Sequence, residues 1–265
     1  MADQTGDAQI TVKDLTIAYG DFVIMHDLNF TIRRGDVFVI MGASGSGKST
    51  LLRNMIGLNE PTKGDVLYDG ESFTHADYEK RQQMLQRFGV MYQGGALFSS
   101  MTLAENVEMP LGEYTTLSAA EIREIAVLKL ALVGLKGFED FFPAEISGGM
   151  WKRAAIARAM ALDPHILFLD EPSAGLDPIS SRQLDDMILE LSASLKTTIV
   201  VVTHELPSIF AIATDSVFLD IESKTIIAQG APQKMLDDPK TDPKVRRFLT
   251  RGEDNQAAAH PESRA

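Results

Sequence analysis

The chain has 265 residues, with 25 lysines and arginines against 37 aspartates and glutamates, so its formal charge is −12. It contains no cysteine, which excludes disulfides, cysteine-ligated zinc or iron–sulfur sites and a thiol nucleophile. At 45% hydrophobic and 23% charged it has the composition of a globular unit with a sizeable core, and its negative balance argues against non-specific binding of nucleic acid.

No apolar run approaches the ~18 residues that a membrane span needs. The opening MADQTGDAQ has neither a basic nor an apolar export segment. Membrane contact is therefore expected to be indirect, through a partner. Residues up to about Gln9 read as a small, polar, frayed start.

From Ile10 to Ile32 the text alternates apolar and polar, with Gly20-Asp21 and Arg34-Gly35 as turns. One more short strand is expected near Gly64. Four short apolar runs follow at wide intervals: Val37–Met41, Ile166–Leu169, Thr198–Thr203 and Val217–Leu219. Helical text separates them, which predicts a buried parallel sheet in an α/β fold.

The stretch from Gly94 to Leu162 reads as a helical insertion without strands. Ser118 and Glu121 form a capping-box pattern, Ile122, Ile125, Leu128 and Leu132 recur at helical spacing, and Gly134 is a stop. Asp177-Pro178 opens another helix, whose apolar face is Leu184, Ile188, Leu191 and Leu195. Asp185, Asp186 and Glu190 fall off that stripe and are expected on a solvated face. The tail from Gly252 is polar and small, and reads as disordered on its own.

Gly42-Ala43-Ser44-Gly45-Ser46-Gly47-Lys48-Ser49 fits G-x-x-x-x-G-K-[ST] between an apolar strand and helical text beginning at Thr50. Its glycines let backbone N–H groups converge on phosphate oxygens at a helix N-terminus. Lys48 adds a full charge, and the Ser49 hydroxyl suits Mg²⁺. The run Ile166–Leu169 ends in Asp170 and Glu171. Behind a phosphate loop the first acid suits Mg²⁺ held through its water shell, and the second suits polarising a water in line with a γ-phosphate. His204 ends another strand of the same expected sheet. The zinc motif H-E-x-x-H fails there, because position 208 is Ser. Ser147-Gly148-Gly149-Met150 opens a helix and forms a second anion-receptive helix N-terminus.

These segments, in this order, resemble the ATPase subunit of ABC transporters over nearly the whole chain. Gly42–Thr50 looks like the Walker A loop, Gln93 like the Q-loop residue, and Ile146–Met150 like the signature motif. Asp170 and Glu171 look like Walker B and its catalytic glutamate, Ser173–Asp177 like the D-loop, and His204 like the switch histidine. Tyr19 looks like the aromatic that stacks on adenine. The resemblance implies a P-loop NTPase of α/β class. A RecA-like core with an N-terminal antiparallel β-subdomain would span residues 9–93 and 163–250. An α-helical subdomain would be inserted at 94–162, and a flexible tail would occupy 251–265.

By resemblance, ATP and Mg²⁺ would be held by the loop, with Ser49, Gln93 and Asp170 around the metal and Lys48, Glu171 and His204 serving hydrolysis. Two copies would pair head to tail, each offering Ser147, Gly148, Gly149, Met150 and Asp177 to the other's nucleotide.

The signature departs from L-S-G-G-Q, with Ile146 for Leu and Met150 for Gln. Ser-Gly-Gly-Met followed by Lys152-Arg153 is similar to the ATPases of Mla/Mce-type lipid transporters. So are YQGGALFSSMTLAENVEMPL, THELPSIFAIATD and DPKVRRFLTRGE. This implies a peripheral ATPase on the cytoplasmic face of a Gram-negative inner membrane, energising phospholipid movement between inner and outer membranes. Its partners would be an integral-membrane permease, an MCE-domain substrate-binding protein and a small STAS-domain protein. The alternatives are an ABC importer of a polar solute and a non-transport ABC ATPase. One cassette without sustained heptads, and the acidic charge, weigh against the latter.

Overall fold

The computed structural model describes residues 8–252 of the chain. In chain order the elements begin with β1 (Ala8–Tyr19), β2 (Phe22–Arg33), β3 (Val37–Met41), α1 (Lys48–Met55), β4 (Lys63–Tyr68) and β5 (Glu71–Ser72). Then come α2 (Tyr78–Leu85), β6 (Phe88–Met91), α3 (Leu103–Tyr114), α4 (Ala119–Leu132), a 3-10 turn at Pro143–Glu145 and α5 (Gly148–Ala159). The order closes with β7 (Ile166–Asp170), α6 (Pro178–Leu195), β8 (Thr198–Val202), α7 (Leu206–Ile212), β9 (Asp215–Asp220), β10 (Thr225–Gln229), α8 (Pro232–Asp237) and α9 (Pro243–Leu249).

β1 and β2 make a hairpin closed at Gly20-Asp21, with Tyr19 opposite Phe22. With β4 and β5 they form an antiparallel sheet of order β2-β1-β4-β5. The second sheet has order β10-β9-β3-β8-β7-β6, with β10 as its antiparallel edge. β3, β7 and β8 are buried along their whole length, as continuous apolar runs in a doubly covered sheet require.

The pleat of these strands divides the core in two. Phe38, Ile40, Ile166, Phe168, Val200 and Val202 face the antiparallel sheet and α1. Val39, Met41, Leu167, Leu169, Ile199 and Val201 face the helices on the other side. Each such side chain contributes about 1.5–3 kcal/mol of burial. A one-residue slip would exchange both sets, so packing on both faces pins the register. An aromatic cluster joins the two sheets: Phe88 stacks on Tyr68 at 4.8 Å and meets Phe168 edge-on at 5.7 Å. The Tyr68 hydroxyl donates to the Met55 carbonyl at 2.7 Å, satisfying its one polar atom in the core.

Several expectations need correction. β6 and β10 were not expected: one is four residues long and carries a glycine, and the other is a half-buried edge. The strand near Gly64 is two, β4 and β5. Ala8 and Gln9 belong to β1 rather than to a frayed start, and the buried Gln9 side chain accepts a hydrogen bond from the Thr198 hydroxyl. The stripe on α4 is rotated: Ala126 and Leu130 are buried while Leu128 is 57% exposed. Lys129 shares the buried face because its stem packs inward and its amine reaches Asp163.

Asp185 is not solvated. It is 3% exposed, and its Oδ2 accepts from the Ser208 hydroxyl of α7 at 2.9 Å. Asp186 and Glu190 do lie on the exposed face of α6, whereas Leu195 at its end is exposed too. The expected disorder of the tail concerns residues that, beyond 252, lie outside the described ones.

Candidate functional site

The phosphate loop joins the end of β3 to the start of α1. Gly47 caps α1 at φ 90°, a left-handed conformation that a side chain would strain. Gly42 packs so closely that an added Cβ would fall 2.5 Å from the Leu219 carbonyl oxygen and 2.7 Å from Ser46 Oγ. The loop can therefore lie close against the sheet end.

Lys48 is buried, and its amine donates to the carbonyls of Gly42 at 2.9 Å and Ala43 at 3.0 Å. Burial pushes this amine below its usual range, while the charges of Glu171 and Asp170 pull it back up. At the next residue, the Ser49 hydroxyl donates to Asp170 Oδ1 at 3.2 Å. Burial pushes the Asp170 carboxyl up; the Ser49 hydrogen bond and the charges of Arg53 and Lys48 oppose this, and Glu171 beside it adds to the rise.

Glu171 has φ 48°, rare for a residue with a long side chain. Its N–H donates to the Val202 carbonyl at 2.8 Å, which ties it to the end of β8. There the Thr203 hydroxyl donates to Glu171 Oε2 at 3.2 Å, and His204 Nδ1 lies 2.7 Å from Oε1. A carboxylate only accepts, so Nδ1 carries the proton. Ser44, Gly45, Gly47, Lys48, Ser49, Thr50, Gln93, Glu171 and His204, with Ile24, enclose a cleft of about 340 Å³. Ser49 and Asp170 are hard oxygen donors side by side, a set that fits Mg²⁺ better than a softer metal.

Other expected residues stand apart from that cleft. Tyr19 is exposed at the hairpin end, its hydroxyl accepting from Asn59 Nδ2 at 2.9 Å. Ser147 caps α5, its hydroxyl accepting from the Met150 N–H at 3.3 Å. Asp177 caps α6, its Oδ1 accepting from the N–H groups of Ile179 and Ser180 at 3.0 Å. Gly149 lies against Ser180, so the starts of α5 and α6 are neighbours. Within one chain this surface, with Ser147 and Gly148 exposed, does not line the cleft.

The residues after Gln93 are held by side chains whose holding role was not legible in the sequence. Trp151 Nε1 donates to the Gly94 carbonyl at 3.2 Å, and Lys152 Nζ donates to the Gln93 carbonyl at 2.6 Å. Arg158 donates to the carbonyls of Ala96 at 2.5 Å and Gly95 at 3.2 Å. The buried Asn106 closes the next turn, accepting from the Phe98 N–H at 2.7 Å and donating to the carbonyls of Phe98, Met101 and Thr102. The local signal was Trp151, Lys152 and Arg158 on a helix otherwise rich in glycine and alanine.

The sequence pattern of the ABC transporter family matches residues 25–174. The chain is 41% identical, over 91% of its length, to the probable ribonucleotide transport ATP-binding protein mkl of Mycobacterium tuberculosis, and spans 66% of that relative. It is 39% identical, again over 91% of its length, to the intermembrane phospholipid transport system ATP-binding protein MlaF of Escherichia coli, spanning 88% of it. Among solved structures, the ATP-binding cassette MJ0796, a dimer in a post-hydrolysis state with ADP and Pi, aligns at a TM-score of 0.75 and 29% identity, over 84% of this chain and 98% of that one. The cassette cbiO1 of Clostridium perfringens, part of an ABC transporter complex, aligns at 0.81 and 28% identity, over 94% and 99%.

Proposed function

The chain belongs to the ABC transporter ATP-binding family, enzymes that couple ATP hydrolysis to transport, and from that premise we propose that it energises phospholipid movement between the membranes of a Gram-negative cell. The observation that carries the enzymatic half is the meeting of Lys48, Ser49, Asp170, Glu171 and His204 at one cleft.

In this reading ATP lies with its phosphates on the loop Gly42–Thr50. Lys48 and the N-terminus of α1 neutralise the triphosphate. Ser49, Gln93 and Asp170 would hold Mg²⁺, which when bound offsets charge on the β- and γ-phosphate oxygens. Glu171 accepts the proton of the attacking water, with one carboxylate oxygen fixed by Thr203 and the other by His204. Tyr19 stacks on the adenine. Cassettes of this family work as dimers with membrane permeases. Here the exposed N-terminus of α5, with Ser147, Gly148, Gly149 and Met150, and the neighbouring Asp177 would close on the second copy's nucleotide.

Among the described residues no helix is long and apolar enough to cross a membrane. A second groove, of about 430 Å³, opens between α2, β6, α3 and α5, with Phe98, Met109 and Tyr114 exposed along it. Such an apolar groove suits a permease segment, and it would place the chain on the cytoplasmic face of the inner membrane. The further partners would be an MCE-domain substrate-binding protein and a STAS-domain protein.

Lipid as cargo rests on the likeness to the phospholipid system protein of E. coli and on the Ser-Gly-Gly-Met signature. The mycobacterial relatives, named probable ribonucleotide transport ATP-binding proteins, favour a polar solute as the second reading. Isolation of the complex from membranes, with mass spectrometry of its subunits and extractable lipid, decides between them. A permease, an MCE-domain protein and bound phospholipid support the first reading. A solute-binding protein and no lipid overturn it.

A further inference from the structure

Lys152 stands on α5, one turn inside the helix whose N-terminus carries Ser147 and Gly148. It is only 9% exposed, yet it reaches back into its own chain's catalytic segments. Its amine donates to the carbonyl of Gln93 at 2.6 Å and to that of Glu171 at 3.4 Å. These two carbonyls come from chain segments far apart in sequence, and one ammonium group spans both. Burial pushes the amine down, while Glu171 and Asp170 push it up. Glu171 is held at φ 48° and Ala96 at φ 52°, so both segments carry unfavourable backbone that neighbouring contacts must maintain. Trp151 and Arg158 grip the same loop on either side of Lys152, at Gly94, Gly95 and Ala96.

From this geometry we infer that Lys152 is a positioning residue for hydrolysis, holding the Gln93 and Glu171 backbones in register from the helix that faces outward at Ser147. It touches neither substrate nor metal. It sets where the Glu171 carboxylate and the Gln93 side chain stand around the γ-phosphate, and it links their placement to the position of α5. Closure of α5 on a second copy would then adjust the first copy's own site. The inference rests on the assignment of Glu171 and Gln93 given above.

The test uses the complete transporter purified from membranes. Lys152→Met keeps the apolar stem and helix propensity but loses all donors, whereas Lys152→Arg keeps the charge and donors. Turnover, the KM for ATP and the melting temperature are measured for both, with Lys48→Ala alongside. The expected result for Lys152→Met is a fall in kcat of about tenfold or more with KM within about threefold, and recovery of most of that loss in Lys152→Arg. Three outcomes overturn the inference. One is a kcat within about twofold of wild type in Lys152→Met. Another is a loss shared equally by kcat, ATP affinity and melting temperature, the mark of a merely structural lysine. The third is that neither variant yields a folded, ATP-binding protein. Wild-type turnover in Lys48→Ala would instead sink the reading of the site itself.

Discussion

The side chains of Glu171 and His204 meet at 2.7 Å although 33 positions separate them in the chain. The contact follows from strand register. β7 and β8 are parallel neighbours with Asp170 opposite Val202, so the residues just beyond each strand emerge at the same C-terminal end of the sheet. The hydrogen bond from the Glu171 N–H to the Val202 carbonyl then turns the glutamate back towards His204.

Glu171→Gln keeps the shape and a hydrogen-bond acceptor for His204 but cannot take up a proton. Turnover should fall by about 10²–10⁴, the range for loss of a general base, with nucleotide binding retained. Steady-state hydrolysis and binding of a fluorescent ATP analogue check this. A kcat within a few-fold of wild type would remove Glu171 from the proton transfer.

Lys48→Ala removes the one full charge at the helix start. Charge-assisted contacts to phosphate are roughly twice as strong as neutral ones. ATP affinity should therefore drop by about tenfold or more, and turnover should vanish. Isothermal titration with Mg-ATP measures the first effect. Unchanged affinity together with unchanged turnover would contradict the assignment of the loop.

Asp185 should impose a pH dependence on stability. Burial pushes its carboxyl from 3.8 to about 6, with the Ser208 hydroxyl opposing the rise. Between those values the folded chain binds more protons than the unfolded one, so this group's contribution falls as pH rises from about 4 to about 6 and is level above. Discounted for solvent screening, the loss is roughly 1–2 kcal/mol relative to an Asp185→Asn variant. Urea melts of both proteins across pH 4 to pH 7 should show the wild type losing ground to the variant. Parallel profiles would refute the burial argument.

Gly89→Ala should disturb the sheet edge beside α5. A Cβ there would run into the Ala159 carbonyl, a backbone atom that cannot swing aside. Overpacking of this kind costs about 1–3 kcal/mol. A lowered urea midpoint with an unchanged slope would show it, and an unshifted midpoint would mean that β6 and α5 separate freely.

By itself the sequence determined the phosphate loop, the order of the parallel strands' apolar runs, the Asp170-Glu171 pair and the caps at Ser118, Ser147 and Asp177 that the structure contains. Those features are written in contiguous residues, where periodicity, glycine placement and capping act over a few positions. The tertiary structure alone decided that Asp185 is buried against Ser208 across 23 positions, that Leu128 faces outward while Lys129 turns in, and that Lys152 reaches Gln93 across 59. A helix pattern says which residues share a face but not how far that face is rotated against its neighbours. Packing settles the rotation, because a charged side chain can be buried once its stem is covered and its head finds a partner, as Lys129 does at Asp163.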